Sequence, residues 1–175
     1  MKKFVNNKYV SVIWTVLRVW LGWQWLYAGF EKIIDPKGIW VGGAAGTALT
    51  GFLKGAIAKS SGAKPSVQGW YGSFLTNVAL PNAKVFSYIV SFGELLVGIS
   101  LILGLFTVVG LLAGGFMNLN YMLAGTTSTN PILYTVTFIL LVVGAGAYAI
   151  GLDRFALPFI KKTFIKKDKS IPTKT

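Results

Sequence analysis

The chain has 175 residues, of which 54% are hydrophobic and 13% charged, and its formal net charge is +12. Soluble domains average about 25% charged residues, so this composition predicts an integral membrane protein. We interpret the positive charge as the Lys and Arg excess of cytoplasmic segments and predict no nucleic-acid partner. The sequence has no Cys and no His. Disulfides, thiolate or imidazole catalysis, and the usual haem and metal ligands are therefore excluded.

The first long apolar run is predicted to be a helix that spans the membrane over residues 9–30. It follows a short basic stretch with Lys2, Lys3 and Lys8, and it contains Arg18. A cleaved signal peptide would have a shorter apolar core and no Arg inside it. We therefore expect this segment to remain as the first span, with the N-terminus in the cytoplasm.

A long connection over residues 31–82 follows, and two of its segments have apolar residues at helical spacing, from Thr47 to Lys59 and from Ser66 to Leu80. Such amphipathic segments favour helices that lie in the headgroup region. Together they are predicted to cap one face of the membrane. Anchoring through Trp and Tyr is the interpretation favoured over a lid on a binding site, and the sequence leaves both open.

Three further spans are predicted, over residues 83–105, 107–124 and 131–150. The predicted fold is thus an all-α membrane protein, an antiparallel four-helix transmembrane bundle within residues 1–160 with two interfacial helices in a long extracytoplasmic loop. A basic cytoplasmic tail occupies residues 161–175. Four spans place both termini on one side, so we expect a multi-pass protein of the cell membrane with both termini in the cytoplasm.

Two charged side chains lie deep inside the apolar runs, Arg18 in the first and Glu94 in the second. Each lies about nine residues from the predicted inner end of its helix, which places both at one depth in an antiparallel pair. A charge inside the hydrocarbon region is costly unless it is paired. The sequence therefore predicts an ion pair between Arg18 and Glu94. A salt bridge that only fixes packing and a ligand-binding site are equally compatible with it.

Small and polar residues recur on one face of each predicted span. Gly22 and Gly29 share a face with Arg18, and Gly98 shares one with Glu94, so these helices are expected to pack closely. Further polar side chains are expected between the charged pair and the cap, where the polar head of a ligand would bind: Gln24, Asn118 and Asn120.

Three segments resemble the DoxX/DoxD family of small four-helix membrane proteins. They are residues 18–32, with RxxLG and YAGFEK; residues 92–107, with FGELLVGI and LGLFT; and residues 144–154, GAGAYAIGLDR. The family's DoxD member is a subunit of a thiosulfate:quinone oxidoreductase, so the resemblance implies a membrane redox subunit that exchanges electrons with quinone. The positions that match the family are Arg18, Glu31, Lys32, Glu94 and Asp153.

The resemblance and the charged pair together give the predicted site. Glu94 and Arg18 are the predicted catalytic residues; Arg18 or Lys32 would bind an anion, and Glu94 would accept protons from the quinone. Asp153 and Arg154 are predicted to have a structural or topological role at the cytoplasmic end. The residues predicted to bind substrate or quinone are Gln24, Glu31, Lys32, Asn118 and Tyr121.

The predicted cofactor is a diffusible quinone, menaquinone or ubiquinone, without metal or haem. The predicted partners are the lipid bilayer and a second subunit or soluble redox partner, and a homodimer is compatible with the sequence. A non-enzymatic membrane scaffold and a small permeation pathway are the alternatives, because the chain lacks redox ligands of its own.

Overall fold

The computed structural model describes residues 8–156 and 158–159. The predicted tail at 161–175 and the lysines at positions 2 and 3 lie outside this range. The described residues contain helices and no strands, which confirms the all-α prediction. The helical elements are α1 Lys8–Ile33, α2 Thr47–Ala58, α3 Gly69–Phe74, a π-helical turn Leu75–Ala79, α4 Ala83–Leu103, α5 Thr107–Leu123, α6 Asn130–Val143 and α7 Ala145–Tyr148.

The four long helices pack in a closed ring in which α1 contacts α4, α4 contacts α5, α5 contacts α6 and α6 contacts α1. The contact between α1 and α4 is the most extensive. Inside the ring lies an apolar core made by Leu21, Trp25, Val97, Leu101, Leu111, Leu140 and Ala147. We call the end that carries the 34–82 connection the loop end, and the opposite end the terminal end.

Glycines fix how α1 and α4 lie against each other. A Cβ on Gly29 would overlap the backbone of Leu95, and a Cβ on Gly98 would overlap the backbone of Leu26. Gly22 is similarly tight, since its Cβ would lie 2.9 Å from the backbone nitrogen of Ile102. The glycine stripes predicted for these two helices therefore do face each other, and their close approach sets the register.

Among the described residues, α4 is the one helix that is both long and apolar enough to cross a membrane, with 21 residues and a mean hydropathy of 2.0. The apolar helices α5 and α6 are shorter, at 17 and 14 residues. A helix of 21 residues is about 30 Å long, which matches the thickness of the hydrocarbon core.

Helix α6 ends at Val143, seven residues before the predicted end of the fourth span at position 150. Gly144 follows with φ 61° and ψ −118°, a conformation that residues other than glycine rarely adopt. The chain then continues as the single turn α7. The sequence pattern missed this break because the residues on both sides of Gly144 are apolar.

The two predicted helical segments of the connection are present as α2 and as α3 with the π-helical turn that follows it. They form a second apolar core with the ends of α4 and α5, made by Leu49, Leu53, Ala56, Val67, Tyr71, Leu75, Ala79, Ala83 and Ala124. The hydroxyl of Ser87 in α4 donates a 2.6 Å hydrogen bond to the carbonyl oxygen of Trp40. The connection is therefore packed onto the loop end of the helices.

Candidate functional site

Glu94 is buried, with 3% of its surface exposed, and both of its carboxylate oxygens have a partner. The ammonium group of Lys32, at the end of α1, lies 2.5 Å from Oε2. The hydroxyl of Tyr121, at the end of α5, donates a 2.7 Å hydrogen bond to Oε1. Three helices thus meet at one carboxylate, which satisfies the requirement that a charge buried in an apolar helix has a partner.

The predicted ion pair between Arg18 and Glu94 is wrong. The guanidinium of Arg18 donates hydrogen bonds of 2.9 Å and 2.8 Å to the carbonyl oxygens of Ala147 and Ile150 at the terminal end. The glycine contacts place Glu94 opposite a level of α1 near residue 30, about twelve residues or 18 Å from Arg18. The prediction places the start of the first span at Tyr9 level with the end of the second near Leu103, whereas the glycine contacts place Leu103 opposite a level of α1 near residue 21, so that more than three turns of α1 extend past the end of α4.

A polar cavity of about 390 Å³ opens beside the Lys32–Glu94 pair at the loop end. Five of the predicted site residues line this polar cavity, namely Gln24, Glu31, Lys32, Glu94 and Tyr121. Arg18 does not line it, because it lies at the other end of the helices. The structure therefore brings together most of the predicted ligand-binding residues, around Lys32 and Glu94 instead of Arg18 and Glu94.

The connection and the turn before α6 complete the wall of the polar cavity. Trp40, Leu49 and Phe52 come from the connection, and the Lys32 ammonium lies 5.1 Å from the centre of the Trp40 ring. The turn and the first residue of α6 contribute four polar side chains that are not among the predicted site residues: Thr126, Ser128, Thr129 and Asn130. Their signal in the sequence was a short turn of hydroxyl and amide side chains without any charge, which is unusual between two apolar helices.

The fixed charges around the polar cavity are those of Glu31, Glu94 and Lys32. The positive charge of Lys32 is already matched by Glu94, so the lining carries an excess of one negative charge. A shallow groove next to the cavity adds the carboxylate of Asp35. These charges oppose an anionic ligand and suit a neutral one that forms hydrogen bonds.

Asn118 is fully buried but does not line the polar cavity. Neither atom of its side-chain amide has a hydrogen-bond partner within the described part of the chain. Asn118 is therefore not among the residues that line the polar cavity, and its role in binding a ligand stays a prediction. The helical stripe placed Asn118 correctly toward the interior of the helices, where its side chain is fully buried.

Asp153 and Arg18 form a separate buried group, which we call the terminal cluster. Each is 2% exposed. The carboxylate of Asp153 accepts hydrogen bonds of 2.7 Å and 2.8 Å from the backbone N–H groups of Phe106 and Thr107, at the start of α5. Asp153 thus caps the backbone at the start of α5. The guanidinium of the neighbouring Arg154 lies 4.5 Å from the centre of the Phe155 ring.

A second, apolar cavity of about 190 Å³ adjoins the polar cavity, and the two share Leu49, Phe52, Val90 and Tyr121 as lining residues. The polar side chains in its wall, Tyr71, Asn120 and Tyr121, already have hydrogen-bond partners. The hydroxyl of Tyr71 donates to the carbonyl oxygen and to Oδ1 of Asn120, at 3.1 Å and 3.0 Å. Burial raises the pKa of Tyr71, so this hydroxyl keeps its proton and remains a donor.

The DoxX family model matches residues 13–127 of the chain, which is more than half of its length. The match contains Lys32, Glu94 and Tyr121, and it ends before α6, so the 144–154 segment lies beyond it. No curated protein and no solved structure matches the chain. The family is membrane-associated, in agreement with the length and hydropathy of α4. On the extent of this match, the chain belongs to the DoxX family.

Proposed function

We propose that the protein is a membrane redox subunit that binds the head group of a quinone, menaquinone or ubiquinone, in the polar cavity. The observation that carries this proposal is the buried Glu94 carboxylate, held by Lys32 and Tyr121 in the wall of a 390 Å³ cavity. That volume is within the range of about 300–1,000 Å³ common for small-molecule sites. A quinone head is neutral and its carbonyl oxygens accept hydrogen bonds, which Lys32 and Gln24 can donate.

Reduction of a quinone to a quinol takes up two electrons and two protons. In this proposal Glu94 passes protons between a quinone oxygen and the loop end, because Lys32 and Glu31 lead from it to the groove beside Asp35. The electrons come from a reduced sulfur anion of the thiosulfate type, two of which join through a new S–S bond as they release two electrons, or from a redox partner subunit. The chain has no Cys and no His, the residues that usually hold redox metals.

The charges of the cavity favour a partner subunit, or a site outside the cavity, as the place where a sulfur anion reacts. A thiosulfate dianion would meet Glu31 and Glu94 with one lysine that is already paired. Arg18, the other predicted anion ligand, donates to backbone carbonyls and is 2% exposed. The quinone half of the proposal is therefore better supported than the binding of the anion by this chain.

The proposal places all four long helices in the bilayer, with the loop end outside and both termini in the cytoplasm. Their outward faces carry large exposed apolar side chains, for example Ile13, Leu96, Val109, Phe116 and Phe138. Such faces are expected to contact lipid.

Because the chain has no Cys, Ala63→Cys would create a single exposed thiol in the connection. It should react with a membrane-impermeant maleimide added to intact cells, and protection from the reagent would reverse the topology.

The central test is a spectral titration of the detergent-purified protein with menaquinone and ubiquinone analogues, together with mass spectrometry of any quinone that copurifies. Glu94→Gln keeps the size of the side chain but removes its charge and its ion pair with Lys32. We expect quinone affinity to fall by about tenfold or more, because Lys32 loses the partner that holds its ammonium group in position to donate to a quinone oxygen, and hydrogen bonds to charged groups contribute about 1.5–3 kcal/mol.

The matched control is Asp153→Asn, which changes the other buried carboxylate of the described helices in the same way. It is expected to lower the thermal midpoint and to leave quinone affinity unchanged, because Asp153 binds backbone N–H groups at the terminal end. The proposal fails if the unaltered protein binds no quinone, or if Glu94→Gln binds quinone as tightly as the unaltered protein does.

The two alternatives have less support. A permeation pathway would need a polar route along the whole ring of helices, but the terminal cluster closes the terminal end with side chains that are 2% exposed and bonded to the backbone. Ion flux in liposomes would be the direct assay for it. A scaffold acting through the basic tail concerns residues outside the described range, and its test is loss of activity when residues 161–175 are deleted.

A further inference from the structure

The apolar cavity lies against the polar cavity and also reaches the outer surface of the helices. Two of its lining residues, Ile89 of α4 and Phe116 of α5, are 59% and 67% exposed. They stand on the outward faces of neighbouring helices, where the proposed function places lipid. The apolar cavity is therefore bounded on one side by the residues that surround Glu94 and on the other by the bilayer.

We propose that the apolar cavity holds the first part of the isoprenoid tail of the quinone whose head occupies the polar cavity. We further propose that the ligand arrives from the bilayer through the gap between Ile89 and Phe116. This inference rests on the proposed function and adds to it a second subsite and an access route. The ligand class is thus a lipid-soluble quinone with a tail, not a soluble redox compound.

The shared wall supports a single ligand that bridges both cavities. Leu49, Phe52, Val90 and Tyr121 line both of them, and Tyr121 turns its hydroxyl to Glu94. The Tyr121 ring therefore marks the boundary between the polar and the apolar part of the site. A prenylated quinone has the same division, with its carbonyl oxygens at one end and a hydrocarbon chain at the other.

The chemistry and the size of the apolar cavity also fit a hydrocarbon tail. The hydroxyls of Tyr71 and Tyr121 are already hydrogen-bonded, so the lining offers no free hydroxyl to a polar ligand. An apolar cavity of about 150 Å³ holds a molecule of the size of benzene, and this one, at about 190 Å³, has room for a little more. The rest of a longer tail would continue past Phe116 into the lipid.

Part of the wall is the π-helical turn Leu75–Ala79. The N–H of Leu80, which directly follows the turn, donates a 2.8 Å hydrogen bond to the Leu75 carbonyl oxygen. Turns of this type are frequent at functional sites. This one presents the buried side chains of Leu75 and Ala79 to the cavity. Ala79 and Ala124 are small residues in the wall, and so the volume of the cavity depends on them.

A tail that moves from lipid into this cavity exchanges one apolar environment for another, so it gains little from the hydrophobic effect. Its contribution to binding comes from close packing, which a change in cavity shape abolishes. The test must therefore compare variants at a fixed mole fraction of quinone in the membrane, because partitioning into lipid is then the same for every variant.

The experiment uses the full chain in nanodiscs, titrated with menaquinone and with menadione, which has the same head group but no tail. Ala124→Phe fills the apolar cavity, since Ala124 is 3% exposed and lines it. We expect this variant to bind menaquinone about tenfold more weakly and menadione within about twofold of the unaltered protein. The matched control is Ala113→Phe, which places the same side chain at an exposed position of α5 and should change neither affinity.

A second measurement does not depend on a variant that folds. A menaquinone analogue with a photoreactive diazirine on its first isoprene unit should label peptides that contain Phe86, Phe116 or Met117 in the unaltered protein. Equal losses of menadione and menaquinone binding in Ala124→Phe, or labelling confined to the loop around Trp40, would overturn the tail subsite while the proposed function stands. If neither quinone binds the unaltered protein, both proposals fail.

Discussion

Residues 8–156 contain two buried groups of charged side chains, which use similar residues for different purposes. At the loop end, Lys32 and Tyr121 surround Glu94 and leave an open cavity beside it. At the terminal end, the terminal cluster of Arg18 and Asp153 is bonded to backbone groups and sealed from solvent. Burial of a charge alone therefore does not identify a ligand site. A site needs partners that are side chains next to a cavity, whereas partners at helix ends serve the packing of the helices.

The terminal cluster stabilises the helix ends on both sides of a tight turn. Gly104 has φ 62° and lies so close to the Arg18 guanidinium that a Cβ there would overlap it. Phe106 has φ 53°, a strained conformation for a residue with a side chain, and its N–H donates to Asp153. The Asp153 carboxylate lies at the start of α5, where the helix end carries a partial positive charge. The Arg18 guanidinium lies at the carbonyl oxygens of Ala147 and Ile150, where the helix end carries a partial negative charge. Both charges are therefore favourably placed.

The largest effect in this comparison is expected from Arg18→Leu. It removes two charge-assisted hydrogen bonds and leaves the carbonyl oxygens of Ala147 and Ile150 without donors. We expect the free energy of unfolding to fall by about 3 kcal/mol, which corresponds to a decrease of about 6–12 °C in the thermal midpoint. Quinone affinity, measured below that midpoint, should stay within about twofold of the unaltered protein.

Thermal unfolding in detergent and quinone titration on the same sample separate the two readouts for Arg18→Leu. A loss of quinone affinity without a change in the midpoint would contradict the comparison, because it would place Arg18 in the ligand site. Retained affinity with a lower midpoint would confirm that the two buried groups act separately.

A smaller effect on stability is expected from Gly98→Ala. This variant tests the packing of α1 against α4, the two helices that carry Arg18, Lys32 and Glu94. The added Cβ would overlap the backbone of Leu26 and push α1 away from α4. Overpacking of this kind costs about 1–3 kcal/mol. Because the same contact sets Lys32 opposite Glu94, quinone affinity should fall together with the thermal midpoint. If affinity is unchanged, the polar cavity does not depend on the register of these helices.

The smallest effect is expected from Gly55→Ala, the matched control for Gly98→Ala. Gly55 is exposed in α2, and a Cβ there meets nothing within 4 Å. Alanine is the better helix former by about 0.8–1 kcal/mol, so this variant should raise the thermal midpoint slightly. It should leave quinone affinity unchanged. A lower midpoint would mean that the solvent-exposed face of α2 is packed against something else.

The helices were predictable from the sequence because their signals are local. Apolar runs, helical spacing in the connection and the glycine stripes located α1, α2, α4 and α5 closely, and they placed Glu94 on a face toward other helices. Five of the residues around the polar cavity were also predicted, three of them, Gln24, Glu31 and Lys32, from the same half of α1. The break at Gly144 was missed, since apolar composition continues through it.

The partner of Glu94 was not predictable in the same way. The sequence gives the depth of a residue only relative to the ends of its own helix, but α1 and α4 are shifted along each other by about twelve residues, or 18 Å, from the alignment that those ends predict. Such an offset is set by the closest approach of backbones at Gly22, Gly29 and Gly98, which involves residues about 70 apart in sequence and therefore leaves no periodic signal.

Hydrophobic spacing and the cost of an unpaired charge act along one segment at a time, so the sequence alone predicts a membrane-type composition, the helices and the need of Glu94 for a partner. The identity of those partners, Lys32 and Tyr121, and the position of Arg18 beside Asp153 at the opposite end follow from how the helices pack. Interhelical register depends on which helix surfaces fit together, and a shift of a few turns exchanges every partner across the interface.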